Sequence, residues 1–291
     1  MLFALVLNLC LGASYFGTKK ALEGLPELTI VFLRTAVAVA LVAPLAGAAP
    51  LREMVRAGPR TWATLVAMGG LGLALPIALG NYGVALSSAS NASLLVGVEP
   101  ICITLFGALV LGERLTRMRA IALALGVAGA TTVVSNGIPF VGAGYTPHLA
   151  GDLLLVAHGA AWAIYTIAGK PLVGRFPALP VTAGALIVAL PLLLPLAALE
   201  LPRIATGPTL GPALAWAIGL GVFASGLGTL GWNLALARMD ASTLAGFVFL
   251  QPLAGVLLGY SALGEPLSSS ALAGGALVLA GVYALMWDAQ R

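Results

Sequence analysis

Long apolar stretches dominate the pattern of this chain, and short connectors rich in glycine and proline separate them. Connectors such as Gly24-Leu25-Pro26 and Gly58-Pro59 carry residues that favour turns. The apolar stretches reach the roughly 20 residues that a helix needs to cross the ~30 Å core of a bilayer. The pattern predicts ten transmembrane helices, near residues 2–22, 28–46, 61–86, 92–111, 119–136, 150–170, 179–199, 211–237, 243–263 and 270–287.

One apolar segment occurs twice along the chain. Residues 91–116 read NASLLVGVEPICITLFGALVLGERLT, and residues 243–268 read TLAGFVFLQPLAGVLLGYSALGEPLS. Gln251-Pro252 follows Glu99-Pro100 by 152 residues, and Gly264-Glu265 follows Gly112-Glu113 by the same interval. A duplication of this length determines the architecture of the whole chain.

The duplication extends to the first helix of each half, where the interval between equivalent residues becomes 150. Asn8 is then equivalent to His158, and Tyr15 to Tyr165. We predict a first five-helix repeat at 1–137, a connecting loop at 138–149 and a second five-helix repeat at 150–291. Because five is an odd number, the second repeat enters the membrane in the opposite sense. Such inverted-topology repeats are common in secondary transporters, whose substrate sites lie near the midplane between them.

Composition supports an all-α polytopic membrane protein. Hydrophobic residues make up 60% of the chain and charged residues only 8%, whereas soluble domains carry about 25% charged residues. With the amino terminus inside, ten Lys and Arg residues fall on the inner side and three on the outer side, as the positive-inside rule requires. We therefore expect both termini in the cytoplasm, a location in the inner membrane, and contact of the basic residues with lipid and not with nucleic acid. The first apolar stretch has no basic region before it, and we expect a transmembrane helix there and not a signal peptide.

Two polar stripes are predicted on facing helices. Asn8, Gly12 and Tyr15 share one face of the first helix, and His158 and Trp162 occupy the same positions of the sixth helix, followed by Tyr165. Polar groups at membrane depth are costly and usually face a cavity or the bundle interior. The stripes predict two walls of a central cavity. The alternative is that these polar groups only bond neighbouring helices.

Glu99 is an acidic residue deep within a predicted span, where a charge costs ~3 kcal/mol or more on insertion scales. Its candidate roles are proton coupling, recognition of a substrate ammonium group, and a structural bond. Pro100 lacks a backbone donor, so we expect the carbonyl of Val96 to be free. Gln251 cannot titrate, so any coupling through this position differs between the halves. His158 is either a functional group with an ordinary pKa near ~6.5 or a bonded histidine of the bundle.

Aromatic and amide residues complete the candidate site. An aromatic wall suits a ligand with an apolar body and a polar head. Arg34, inside the second helix, is expected to have a structural partner in Glu23, Glu27 or a lipid phosphate. The predicted substrate-binding residues are Asn8, Gly12, Tyr15, Asn81, Tyr82, Asn91, Glu99, His158, Trp162, Tyr165, Trp232, Asn233 and Gln251.

The paired motifs LGERLT and LGEPLS, the Glu99-Pro100 and Gln251-Pro252 turns, and the segment GDLLLVAHGAAWAIYTIAGKPL resemble the EamA type of the drug/metabolite transporter superfamily. Within the superfamily the chain is similar to YddG-like exporters of aromatic and neutral amino acids. One departure is Leu11-Gly12, where the family often has a Trp-Gly pair. The resemblance implies ten helices in a 5+5 inverted repeat that works by alternating access, with export from the bacterial cytoplasm as the usual activity.

These observations predict a secondary transporter that exports small amphipathic metabolites, with amino acids as the leading class and protons as a candidate coupling ion. Drugs, cations, nucleosides or sugars are alternative cargoes on the same fold, and a non-transporting subunit stays open. We expect no enzyme, cofactor or metal, because the chain has only two histidines, no HExxH motif and no catalytic serine motif. Cys10 and Cys102 have no disulfide or metal-site spacing.

Overall fold

The computed structural model describes residues 1–86, 95–134, 149–204, 206–251, 253–254, 258 and 269–288, and this part of the chain is helical. Its helices are α1 Leu2–Ala21, α2 Glu27–Ala46, α3 Ala48–Arg56, α4 Pro59–Leu86, α5 Val98–Leu111, α6 Arg117–Val134, α7 Leu149–Arg175, α8 Ala178–Leu199, α9 Leu210–Leu236, α10 Ala241–Leu250 and α11 Ser269–Asp288.

Six helical stretches within the described ranges are long and apolar enough to cross a membrane. They are Leu2–Ala21, Glu27–Ala46, Pro59–Leu86, Leu153–Arg175, Ala178–Arg203 and Leu210–Leu236. Large apolar side chains such as Leu109 and Phe223 point outward and are more than two-thirds exposed, as helices that face lipid require. The count of ten transmembrane helices and their 5+5 division stay predictions.

Helices from the two predicted repeats pack against each other throughout the molecule. Helix α2 lies against α8 and α9, α7 lies against α4 and α5, and α1 contacts α9 and α10. Small residues permit the close crossings: a Cβ at Gly69 would lie 2.6 Å from the carbonyl oxygen of Ala185, and one at Gly129 would lie 2.6 Å from that of Gly274. Backbone contacts of this kind are typical of membrane helices.

Two long helices carry π-helical segments that the sequence pattern did not predict. The segment of α4 is Ala67–Ala74, and the segment of α9 is Gly221–Gly228. Both are rich in glycine, and they occupy similar positions in the two halves. A π-helical turn widens the helix and shifts the side chains that follow, and such turns are frequent at functional sites.

One expectation about local structure is wrong, and one short helix was not predicted. Val96 and Gly97 form a turn, and α5 begins only at Val98, so Pro100 lies in its first turn, where the missing donor breaks no helical bond. The carbonyl of Val96 is not free, because it accepts a hydrogen bond from the backbone N–H of Glu99 at 2.9 Å. The short helix α3 lies between the second and third predicted helices, where the sequence pattern predicted no helix.

Candidate functional site

A cavity of about 100 Å³ lies among α1, α2, α4, α5, α7, α9 and α10. Seven of the predicted site residues line it: Tyr15, Asn81, Glu99, His158, Trp162, Trp232 and Gln251. Its other polar lining residues are Ser14, Thr18, Arg34, Ser225 and Thr229. The cavity thus joins the two polar stripes, although its volume is below the ~300 Å³ at which small-molecule pockets usually begin.

His158 connects α7 to α4 and α5 through both of its ring nitrogens. Its Nδ1 lies 2.6 Å from the carbonyl oxygen of Pro76, and its Nε2 lies 3.1 Å from Oε1 of Glu99. A carbonyl oxygen can only accept, so Nδ1 carries a proton in this contact. The second contact then needs either an imidazolium that donates to the carboxylate or a protonated Glu99 that donates to Nε2. Either state places one proton between His158 and Glu99.

Asn8 and Gln251 form the corresponding contact on the other side of the molecule. Nε2 of Gln251 donates to Oδ1 of Asn8 at 3.0 Å, and Nδ2 of Asn8 donates to the carbonyl of Ala4 at 2.9 Å. Gly12 permits this approach of α1 to α10, since a Cβ there would lie 2.6 Å from the carbonyl oxygen of Gln251. Asn8 and Gly12 therefore support Gln251 and do not line the cavity themselves.

Aromatic side chains form one wall of the cavity. Trp162 stacks on Tyr165 with ring centroids 5.1 Å apart, and it meets Trp232 edge to face at 6.0 Å. Nε1 of Trp232 donates to the hydroxyl of Thr166 at 3.1 Å, which fixes the indole. Trp162 and Trp232 line the cavity, whereas Tyr165 lies behind them and is fully buried.

Asn233 lies behind the aromatic wall with Tyr165. Its amide donates to the hydroxyl of Tyr165 at 2.7 Å and to that of Thr182 at 2.8 Å. The side chain is fully buried and is not among the lining residues of the cavity. Its position indicates that it holds the wall in place through Tyr165.

Arg34 was expected to be structural, but it lines the cavity. Its Nε donates to the hydroxyl of Ser225 at 2.7 Å, so the expected partners Glu23 and Glu27 are wrong. Ser225 lies in the π-helical segment of α9, which faces α2. An arginine within an apolar span indicates in the sequence that this residue needs a polar partner. Which residue is the partner depends on how the helices pack, and the sequence pattern does not predict that packing.

Tyr82, Asn81 and Asn91 complete the set of predicted site residues. The hydroxyl of Tyr82 donates to Glu200 at 3.0 Å, outside the cavity lining. Asn81 lines the cavity, and its amide also donates to the carbonyl of Glu27 at 3.0 Å. Asn91 lies outside the described residues.

A cluster around Glu200 joins the two predicted repeats at one end of the bundle. Glu200 accepts hydrogen bonds from the backbone N–H of Thr29 at 2.8 Å and from the Tyr82 hydroxyl. Arg203 contacts Glu200 at 3.2 Å and Glu27 at 3.1 Å. We call Glu27, Thr29, Tyr82, Glu200 and Arg203 the Glu200 cluster.

A second cluster, around Glu113, joins the repeats at the opposite end. Glu113 accepts from the backbone N–H groups of Ala241 at 2.7 Å and Ser242 at 3.0 Å, and Arg119 contacts Asp240 at 2.7 Å and Asp288 at 3.2 Å. These residues form the Glu113 cluster. The 27 residues of α9 separate the two clusters along the bundle, a helix length of about 40 Å. Sequence reasoning singled out Glu113 only as part of a repeated motif.

Comparison with known proteins gives two matches to one family model. The model of the EamA-like transporter family matches residues 1–135 and, separately, residues 149–287. A probable terminal-alkyne amino-acid exporter of Streptantibioticus cattleyicolor is 29% identical over 96% of this chain and 91% of its own. An uncharacterized transporter of Archaeoglobus fulgidus is 28% identical over 97% of this chain and 95% of its own.

A solved crystal structure has a similar fold. It superimposes with a TM-score of 0.80 and covers 100% of this chain and 97% of its own, at 22% sequence identity. At this identity the likeness concerns the fold alone.

Proposed function

This chain belongs to the EamA-like transporter family, and from this premise we propose that it is a secondary carrier that exports small amphipathic metabolites across the inner membrane. Amino acids are the leading class of cargo. The observation that carries the proposal is one cavity with a carboxylate, a guanidinium and two indoles in its lining. The name given to the relative from Streptantibioticus cattleyicolor supports the choice of amino acids.

The proposed architecture is ten helices in a 5+5 inverted-topology repeat. Two separate family matches, one in each half, support it. So do the equivalent contacts His158–Glu99 and Asn8–Gln251, which each join the first helix of one half to the fourth helix of the other. In such carriers one repeat rocks against the other around a site near the midplane.

Alternating access requires the two ends of the cavity to open in turn. The Glu200 cluster and the Glu113 cluster both cross between the repeats, and we assign them as the two gates. Both are formed in this conformation, and the cavity is small. Binding of a cargo the size of an amino acid therefore requires one gate to loosen. With both termini in the cytoplasm, the Glu200 cluster is the outer gate.

The proton between His158 and Glu99 makes this pair the candidate site for coupling to protons. The other proposed function of the pair is recognition of a cationic cargo, because Glu99 lines the cavity. A quaternary ammonium drug has no carboxylate, whereas an amino acid has both charges. The presence of Arg34 and Glu99 in one cavity favours the amino acid.

Counterflow in proteoliposomes tests the function. Vesicles loaded with an unlabelled mixture of the twenty amino acids should accumulate at least one labelled amino acid faster than vesicles without protein. Equal rates for every amino acid would contradict the amino-acid assignment. If a labelled quaternary ammonium compound accumulates and no amino acid does, the cargo is a cation and not an amino acid.

A further inference from the structure

Arg34 is a buried cation whose hydrogen-bonding capacity is only partly used. The residue is 8% exposed and lines the cavity. Its Nε donates to Ser225, but its two terminal nitrogens have no hydrogen-bond partner among the described residues. A guanidinium has five N–H donors arranged in a planar fork, so the ends of this fork are available to a molecule in the cavity.

Glu99 of the cavity and the two carboxylates expected from the sequence as partners of Arg34 all have other partners. Glu99 contacts His158, Glu23 contacts Lys20, and Glu27 contacts Arg203. Within the described ranges no direct ion pair joins Arg34 to any of them. A buried cation without a counter-anion is costly, and a cargo that supplied an anion would remove this cost.

Ser225 fixes the direction of the fork. Its hydroxyl accepts a hydrogen bond from Nε at 2.7 Å, so the N–H groups of both terminal nitrogens stay available to other partners, and Arg34 is part of the cavity lining. Tyr15, Arg34 and Glu99 all belong to the same lining. The lining of this one small cavity therefore contains a guanidinium and a carboxyl group that are not paired with each other.

We propose that Arg34 binds the carboxylate of the cargo, so that the carrier selects molecules with a free carboxylate and rejects the corresponding esters, amides and amines. This inference rests on the proposed export of amino acids. The planar guanidinium can donate to both carboxylate oxygens at once, whereas a lysine offers only a point charge. Glu99 faces the ammonium group, and Trp162 and Trp232 face the apolar side chain.

The first experiment uses the unchanged protein. Proteoliposomes that show amino-acid counterflow receive unlabelled phenylalanine, phenylalanine methyl ester, phenylalaninamide or 2-phenylethylamine as competitors. Because an unpaired buried charge strongly penalises the wrong ligand, the free acid should inhibit at a concentration at least about ten-fold lower than the three analogues. Inhibition by the ester and the amide at the same concentration as the acid would overturn the inference. If phenylalanine is not transported, the same series is made from the amino acid that is.

The second experiment uses Arg34→Gln and Arg34→Lys. In Arg34→Gln the inhibition constant of the acid should rise at least about ten-fold, while that of the ester stays within a factor of about two, so the preference disappears. Arg34→Lys should keep part of it. Arg175→Gln is the matched control, since it also removes one arginine charge but lies beside Phe176, outside the cavity lining.

The outcomes separate the possible failures. A loss of affinity for acid and ester by the same factor in Arg34→Gln would indicate a structural role and overturn the inference. If no amino acid shows counterflow in the unchanged protein, the proposed function fails first. If Arg34→Gln does not fold, the competitor series on the unchanged protein still decides.

Discussion

Nε2 of His158 lies 3.1 Å from Oε1 of Glu99, at the point where α7 crosses α5. The equivalent contact between Gln251 and Asn8 has nearly the same length, 3.0 Å, but neither of its side chains can titrate. The two halves therefore have the same helix-to-helix contact with different chemistry. Only one of them can bind and release a proton, which makes the contact a source of asymmetry between the repeats.

We first predict that Glu99→Gln flattens the pH dependence of counterflow between about pH 5 and 8, the range in which histidine side chains change their charge. The amide keeps the shape of the carboxyl group but does not titrate. The rate is measured at matched pH on both sides of the membrane. Gln251→Ala is the control, because it breaks the equivalent contact, in which neither side chain titrates. This change should alter the rate of counterflow but not the shape of its pH profile. A Glu99→Gln protein with the profile and affinity of the unchanged protein would remove Glu99 from both coupling and recognition.

The second prediction concerns the aromatic wall. Trp162→Ala removes the ring that stacks on Tyr165 and contacts Trp232, and aromatic pairs contribute about 0.5–1.5 kcal/mol beyond their buried area. The apparent affinity for an aromatic amino acid should fall up to about ten-fold, with a smaller change for alanine. Trp162→Phe should retain most of the affinity. Trp62→Ala, at an exposed helix start, is the control, and an equal loss there would argue against a wall specific for the cargo.

A third prediction tests the two gates with a cysteine in the cavity. Ser14→Cys, in a background with Cys10→Ala and Cys102→Ala, places a thiol in the lining. Glu200→Gln weakens one gate and Glu113→Gln the other, because each loses charge-assisted hydrogen bonds. Each change should increase labelling of the thiol by a membrane-impermeant reagent from one face, and the two faces should be opposite. An increase from the same face in both variants would refute the assignment. An increase from the outside for Glu200→Gln would support the predicted orientation.

The fourth prediction is about the packing of α1 on α10. A Cβ at Gly12 would lie 2.6 Å from the carbonyl oxygen of Gln251 and 2.8 Å from Cβ of Ala254. Gly12→Ala should therefore lower the stability by about 1–3 kcal/mol through overpacking, seen as a lower melting temperature in detergent. Gly219→Ala is the matched control, because its Cβ would meet no atom within 4 Å. It should leave stability unchanged or raise it by about 0.5–1 kcal/mol. Equal melting temperatures in both variants would contradict the close contact.

The sequence by itself determined the helical membrane character, because hydropathy follows from composition. It also determined the family, because the repeated Glu-Pro and Gln-Pro motifs are short contiguous segments that can be recognised without the fold. Spacing along a helix also placed Tyr15, His158 and Trp162 on faces that now line one cavity. Which side chain meets which across the bundle is a different question. The polar stripe of α1 left open whether Asn8 faces the cavity or another helix, and the structure pairs it with Gln251.

Tertiary structure alone decided where Arg34 lies and which residue it contacts. Its position in an apolar span showed that it needs a partner, and carboxylates close in sequence were the natural candidates. The π-helical segment of α9 instead places the hydroxyl of Ser225, 191 residues further along the chain, against Nε, and the carboxyl groups have other partners. A helical period fixes which face of a helix a residue occupies, but not the rotation and crossing of the helices that bring two faces together. For that reason the pattern of the chain predicted a cavity, and only the packing of the helices showed that its lining contains both a partly unpaired guanidinium and a carboxyl group.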